Sequence, residues 1–358
     1  MVRLCLPVVW GAASRARVDA VDDPFAKLAP TSEQTDAQNV LADLLKVKEC
    51  ADKGADYSIV LVAPQAGRVY AAIGVGDVDR ASNVVTLVPG MSTTVRASMD
   101  DFLKRAERIR DVAESKPLSV DASQTAGVVW MGYDAPPGVW DAKTTGPARA
   151  GAVSLAAFMD GLNGSREAAG WPVWLTLFGH SYGSTTSSIA ATLTAPGTLD
   201  NLILTGSPGT GVMDASEWNV PAGQVYVSAA TPRWVESPGY YPDPTGGPPI
   251  EVEGVVDHDD VVNFGVHADR VGAVAVGVLG GPVGAVWAGQ IWSDPPFGHV
   301  VTDMAGVTQL SGDTGVPSED LADIGVVALH GSYPSYTEAG APSGSLTDIT
   351  KVVVGRYP

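Results

Sequence analysis

Two cysteines in 358 residues, Cys5 and Cys50, are too few for a disulfide framework or a cysteine-rich zinc site. One bridge between them stays open; two free thiols are the simpler expectation. Positive charge is scarce as well: 22 Lys and Arg stand against 40 Asp and Glu, a formal net charge of -18. A surface of that sign repels phosphate, which argues against nucleic acid and anionic membranes as partners. The chain has no internal repeat and no low-complexity tract. It has no Gly-x-Gly-x-x-Gly after a first strand and no metal-ligand spacing, so neither cofactor nor metal is expected. Its 41 Gly and 26 Pro lack a three-residue period, which excludes a collagen-like chain and implies many tight turns. No secretory leader is expected either. The apolar run Leu4 to Trp10 is short, is interrupted by Pro7 and is followed by no clean cleavage site, so a first strand is the plainer reading. The compartment stays open, with the cytoplasm favoured.

Hydrophobic residues make up 45% of the chain, enough for a large core. Only Val271 to Trp292 is uncharged over a bilayer-spanning length, but its six glycines and Pro282 favour a buried or cap segment over a membrane span. A helix is expected from Thr31 to Asp52, with Leu41, Leu44, Leu45 and Val47 as its apolar stripe. Two β runs, Tyr57 to Ala63 and Arg68 to Ile73, flank Pro64-Gln65-Ala66-Gly67 and read as a hairpin. A third run, Asn83 to Val88, ends at Pro89-Gly90.

Beyond it the pattern alternates. Helices are expected at Thr93 to Glu114, Pro147 to Leu162 (with Val153, Leu155, Phe158 and Leu162 at helical spacing) and Ser181 to Leu193. Strands are expected at Gly127 to Met131, Val173 to Phe178, Leu202 to Leu204, Val225 to Ser228 and Ile324 to Leu329. Alternating strands and helices imply a mostly parallel sheet with helices on both faces, here entered by an antiparallel hairpin. That architecture suggests the α/β-hydrolase fold. The expected organisation is an N-terminal extension, residues 1–54, on a hydrolase domain, residues 55–358, with a cap-like insertion at about 231–298.

Gly179-His180-Ser181-Tyr182-Gly183 matches the Gly-x-Ser-x-Gly nucleophile elbow, and its flanks fit: an apolar strand runs into it and a small-residue helix leaves it. The turn is sharp, so side chains at Gly179 and Gly183 would collide with neighbours. Ser181 is the candidate nucleophile, and the variable residue His180 points elsewhere. The remaining histidines, His258, His267, His299 and His330, are candidate bases; the chain order Ser, acid, His places the base after the last strand, as His330 stands. The oxyanion hole requires two backbone N–H groups, expected from Tyr182 and from Met91 just past the third strand. Capping of the following helix by Ser92 or Thr93 is the plainer reading of that turn, and it is compatible with the first. Asp134, at a strand end, either serves catalysis or fixes the turn before Pro136-Pro137 through backbone N–H groups.

Several further segments carry a resemblance: Val88-Pro89-Gly90-Met91, Gly132-Tyr133-Asp134-Ala135-Pro136-Pro137, Gly206-Ser207-Pro208-Gly209-Thr210-Gly211, His330-Gly331-Ser332-Tyr333, Ser345-Leu346 and Val352-Val353-Val354-Gly355. Together with the elbow through Ser184, they resemble, in order over residues 55–358, a family of actinobacterial α/β-hydrolases long catalogued as a domain of unknown function. The resemblance implies His330 as base. It also implies an acid in a Gly-Asp-Pro-Val-like turn after Val225 to Ser228, where this chain instead has Ala230-Thr231-Pro232-Arg233-Trp234-Val235. The acid is therefore sought in Asp257-His258-Asp259-Asp260-Val261-Val262: Asp259 first, then Asp260 and Asp257, with Glu236 still open. The expected activity is a serine hydrolase, esterase- or lipase-like, acting on a small-molecule or lipid-like ester. An amidase or peptidase on the same fold, or a catalytically weak binding module, is the alternative.

Overall fold

The computed structural model describes residues 31–115, 118, 124–138, 141–142, 144–229, 240–241, 250–251, 304–315 and 333–358. Helix α1 (Ser32–Ala51) opens the described chain, capped by Thr31, whose side chain accepts from the Gln34 N–H while the Gln34 side chain returns the bond. Strands β1 (Tyr57–Gln65) and β2 (Arg68–Val75) form the expected hairpin. Its loop is shorter than the sequence suggests. Pairing runs on to Gln65 opposite Arg68, leaving a two-residue turn, Ala66-Gly67, with Gly67 at φ 73°.

The remaining elements alternate: β3 (Asn83–Val88), α2 (Val95–Glu114), β4 (Thr125–Met131), α3 (Gly146–Ala168), β5 (Trp174–His180), α4 (Tyr182–Leu193), β6 (Asn201–Thr205) and β7 (Val225–Ser228). A two-stranded ribbon comes next, β8 (Tyr240–Tyr241) with β9 (Ile250–Glu251); then come β10 (Val307–Gln309) and α5 (Gly344–Val353). Eight strands form one sheet in the order β1-β2-β4-β3-β5-β6-β7-β10. The hairpin joins antiparallel to β4, and every pairing from β4 through β3 to β10 is parallel. This is the expected α/β-hydrolase architecture. Strand β10 escaped the sequence reading because three residues, Val307-Thr308-Gln309, carry no periodic signal. The strand expected at 324–329 and the uncharged run 271–292 lie outside the described residues. No helix among the described residues is long and apolar enough to cross a membrane.

Side chains alternate along the strands, so the sheet feeds two cores. Val84 and Val88, Val128 and Trp130, Leu175 and Leu177, Leu202 and Leu204 join the core under α3 and α4. Val85 and Leu87, Val129, Phe178, Ile203 and Tyr226 join the core under α1, α2 and α5. Helix α1 keeps only Val47 of the expected stripe inward: Leu41, Leu44 and Leu45 are exposed, and Asp43 and Cys50 are buried with Val47. The reason is polar. Asp43 accepts from the Val69 N–H, the Arg96 N–H and Arg96 Nη1 at 2.9–3.0 Å, pinning α1 to both the hairpin and the start of α2. In α3, Val153 likewise faces solvent while Leu155 and Met159 pack inward. The buried Arg166 at its far end donates to the carbonyls of Val78, Ala81 and Trp171.

Beside α1, Asp100 accepts from Lys53 at 2.7 Å and Lys46 at 2.9 Å. These two bonds pull its carboxyl down from 3.8 to about 2. A depressed carboxylate stabilises the fold fully above its unfolded value, and that contribution is lost as pH falls through the folded one. Stability should therefore fall between pH 3.8 and about 2. Urea unfolding across that range is expected to show a flatter acid limb in Asp100→Asn than in wild type.

Candidate active site

The carboxyl ends of the parallel strands line one edge of the sheet, where binding sites of open α/β sheets gather. Val88 pairs with Gly179, and His180 with Thr205, so the turns after β3, β5 and β6 are neighbours in the middle of that edge. Ser181 occupies the turn from β5 into α4. Its backbone sits at φ 56°, ψ -134°, a region that L residues with a side chain avoid. The surroundings hold it there: the Ser181 N–H donates to Thr205 O at 2.9 Å, and Ser181 O accepts from the Ser184 N–H and Oγ.

Three glycines make the turn possible. A Cβ on Gly179 would lie 2.5 Å from Ser184 Cα, and one on Gly183 would overlap the Val88 and Pro89 carbonyls. A Cβ on Gly90 would lie 2.6 Å from Ser181 Cβ and 2.9 Å from Ser181 Oγ. The Val88-Pro89-Gly90-Met91 turn therefore runs directly against the serine, with Gly90 buried at the contact. Met91 comes next, and its N–H donates to no acceptor among the described residues. Tyr182 is the first residue of α4, at the positive end of the helix dipole. Its ring is buried: its hydroxyl donates to Thr144 O at 2.6 Å and accepts from the Ala148 N–H, and burial pushes the phenol up to about 12.

His180 points away from the edge, as expected. Its ring lies between Phe102 of α2 and Tyr333, at 6.2 and 6.1 Å between centroids. The capping reading of Ser92 and Thr93 does not hold: α2 is capped by Thr94, without a side-chain bond. Thr93 Oγ1 donates to Gly90 O, and Ser92 Oγ to Pro137 O. Asp134 receives no backbone N–H among the described residues. It is exposed, accepts from Tyr70 Oη at 2.6 Å and pairs with Arg68 at 2.7 Å, so it ties the strand end to the hairpin. The Gly206–Gly211 loop lies on α4 through Thr185 Oγ1, which donates to Gly209 O at 2.6 Å. The helix itself buries Ser184, Thr185, Thr186, Ser187 and Ser188, small residues that let it sit close beneath the elbow. His330, Asp257, Asp259, Asp260, Glu236, His258, His267 and His299 lie outside the described residues, as does Cys5; Cys50 is a buried free thiol.

The strain at Ser181 has a direct test. Ser181→Gly removes the side chain that opposes this backbone, whereas Ser181→Ala keeps a Cβ there. The glycine variant is expected to be more stable than the alanine variant by about 1 kcal/mol. Chemical denaturation measures the difference, and a glycine variant no more stable than the alanine one would show the turn to be relaxed.

The sequence model of a family described as alpha/beta hydrolase matches residues 64–242. The uncharacterized protein Rv0963c of Mycobacterium tuberculosis is 35% identical over 193 residues, 52% of this chain and 70% of that protein. The uncharacterized protein Rv2079 of the same organism is 32% identical over 227 residues, 61% of this chain and 31% of that protein. Among solved structures, a carboxyl esterase from Bacillus coagulans aligns with a TM-score of 0.26 and 16% identity, covering 44% of this chain and 46% of that one. The esterase LipW from Mycobacterium marinum aligns with a TM-score of 0.30 and 16% identity, covering 50% and 52%. The alignments thus span about half the length of these two structures.

Proposed function

Because the chain belongs to the α/β-hydrolase family, we propose that it is a serine hydrolase that cleaves a carboxylic ester through an acyl-serine. The observation that carries the reading is Ser181 itself, held at φ 56° where β5 turns into α4, with the Gly90 backbone against its side chain. Holding a serine in so unfavourable a conformation presents its hydroxyl at the sheet edge, beside two turns that can supply N–H donors.

Those parts define the reaction. Ser181 Oγ attacks the ester carbonyl carbon while its proton passes to His330. The carbonyl oxygen becomes an oxyanion, stabilised by the Met91 and Tyr182 N–H groups. Collapse expels the alcohol, which takes the proton from His330 and leaves an acyl group on Ser181. Water, deprotonated by His330, then attacks the acyl carbon; collapse breaks the bond to Ser181 Oγ, which takes the proton back from His330, and frees the acid. Asp259 orients the imidazole in this scheme, with Asp260 and Asp257 the next candidates.

The anchoring of the segment just after His330 supports it as the base. Tyr333, three residues on, is buried with its ring 6.1 Å from that of His180, the neighbour of Ser181. Arg108 Nη1 donates to Pro334 O at 2.9 Å and fastens the same segment to α2. A segment anchored this way supports the choice of a base from it.

Hydrolysis of p-nitrophenyl esters, with fluorophosphonate labelling beside it, tests the reading. Wild type should turn over, and the label should fall on Ser181 alone. Ser181→Ala and His330→Ala should each lower kcat by about 10⁴ or more, and Asp259→Asn by on the order of 10⁴. Turnover or labelling that survives Ser181→Ala sinks the proposal. Loss of activity in His299→Ala but not in His330→Ala overturns the choice of base. Cleavage of anilides in place of esters would make the protein an amidase, and ligand binding without cleavage would make it a binding module.

A further inference from the structure

We propose that Thr93 and Tyr133 are positioning residues that aim the Met91 N–H at the oxyanion formed over Ser181. This rests on the ester-hydrolase reading and adds to it the groups that hold the hole in shape.

A trans peptide is planar, so the N–H of one residue points opposite to the C=O of the residue before it. Whatever fixes the Gly90 carbonyl therefore fixes the direction of the Met91 N–H. Thr93 Oγ1 does this, donating to Gly90 O at 2.6 Å. The preceding plane is set from another strand: Tyr133 Oη donates to Pro89 O at 2.7 Å. The following plane is set by the Ser92 N–H, which donates to Pro136 O at 2.7 Å, with Ser92 Oγ on Pro137 O at 2.9 Å. Three consecutive peptide planes are thus clamped, two of them by the Gly132–Pro137 segment. Ser92 is held at φ 59°, the only described non-glycine residue besides Ser181 with a positive φ. Strain on both sides of the candidate hole is what a turn shaped for a ligand, and not for its own comfort, would show.

Tyr133 is built to be a rigid donor. Its ring is buried and stacks on Trp130 at 6.0 Å with planes 8° apart. Helix α3 closes on it at Gly151, where a Cβ would lie 2.7 Å from Tyr133 Cβ. Burial pushes its phenol well above the ordinary range, so the hydroxyl keeps its proton at any working pH.

A fixed donor stabilises charge that develops in the transition state without having to reorganise, so its misalignment should lower kcat and spare KM. With p-nitrophenyl butyrate, Thr93→Val and Tyr133→Phe are each expected to lower kcat by about 10- to 100-fold, with KM within about threefold of wild type. Thr93→Ser, which keeps the hydroxyl, should recover most of the rate. Asp134→Asn touches the same strand end but only the hairpin side chains, and should retain wild-type kcat. Wild-type kcat in both Thr93→Val and Tyr133→Phe, or a loss confined to KM, overturns the proposal. Amide hydrogen exchange gives a readout independent of turnover: the Ser92 N–H should exchange faster in both variants while α3 is unchanged, and unaltered Ser92 exchange overturns the proposal. If wild type shows no Ser181-dependent turnover, the ester-hydrolase reading falls separately, and Ser92 exchange still decides whether the two side chains clamp the turn.

Discussion

The backbone of Ser181 must be held at φ 56°, and the sheet edge is arranged around that requirement. A conformation of this kind costs on the order of 1–3 kcal/mol and persists only where its surroundings over-determine it. Here the surroundings are a hydrogen bond to Thr205 on one side and the first turn of α4 on the other. Close approach demands the rest. Gly179 admits Ser184, Gly183 admits the Val88 and Pro89 carbonyls, and Gly90 admits the serine side chain. Each of these glycines is required by contact with a neighbouring backbone or side chain, since none of the three has a positive φ.

The turn after β3 would be loose if it depended on its own residues. It is held instead by the end of β4 and by α2's approach, through Tyr133, Pro136, Pro137 and Thr93. The same logic recurs away from the edge. Asp43 and Arg166, both buried and both hydrogen-bonded to backbone groups, fasten α1 and α3 to the sheet. A buried charge left without partners is costly, so such residues tolerate only one arrangement of the elements they join. Apolar burial on the two faces of the sheet drives the layers together, and these polar contacts choose how they sit.

Much of this was legible in the chain. The hairpin, the alternation of strands and helices, and the elbow all depend on local pattern: period-two runs, apolar helical faces, and glycines around a serine. What the pattern missed was set by partners distant in sequence. The leucines of α1 form a stripe by spacing, yet the helix turns them to solvent because Asp43 finds three donors inward. Strand β10 exists because β7 offers an open edge, which three residues cannot announce by themselves. Thr93 reads as a cap by position, but its hydroxyl turns to Gly90.

The layer architecture and the sharp turn at Ser181 were already written in the order of residues, because both arise from interactions within a few positions along the chain. The surroundings of that serine were not. Folding set the Gly90 turn against the side chain, put Tyr133 under the Pro89 carbonyl and placed Tyr333 beside His180. The difference is one of range. Periodicity and turn chemistry are encoded by neighbours in sequence, whereas the Pro89 carbonyl is held by a hydroxyl 44 residues away that meets it only when the sheet has formed.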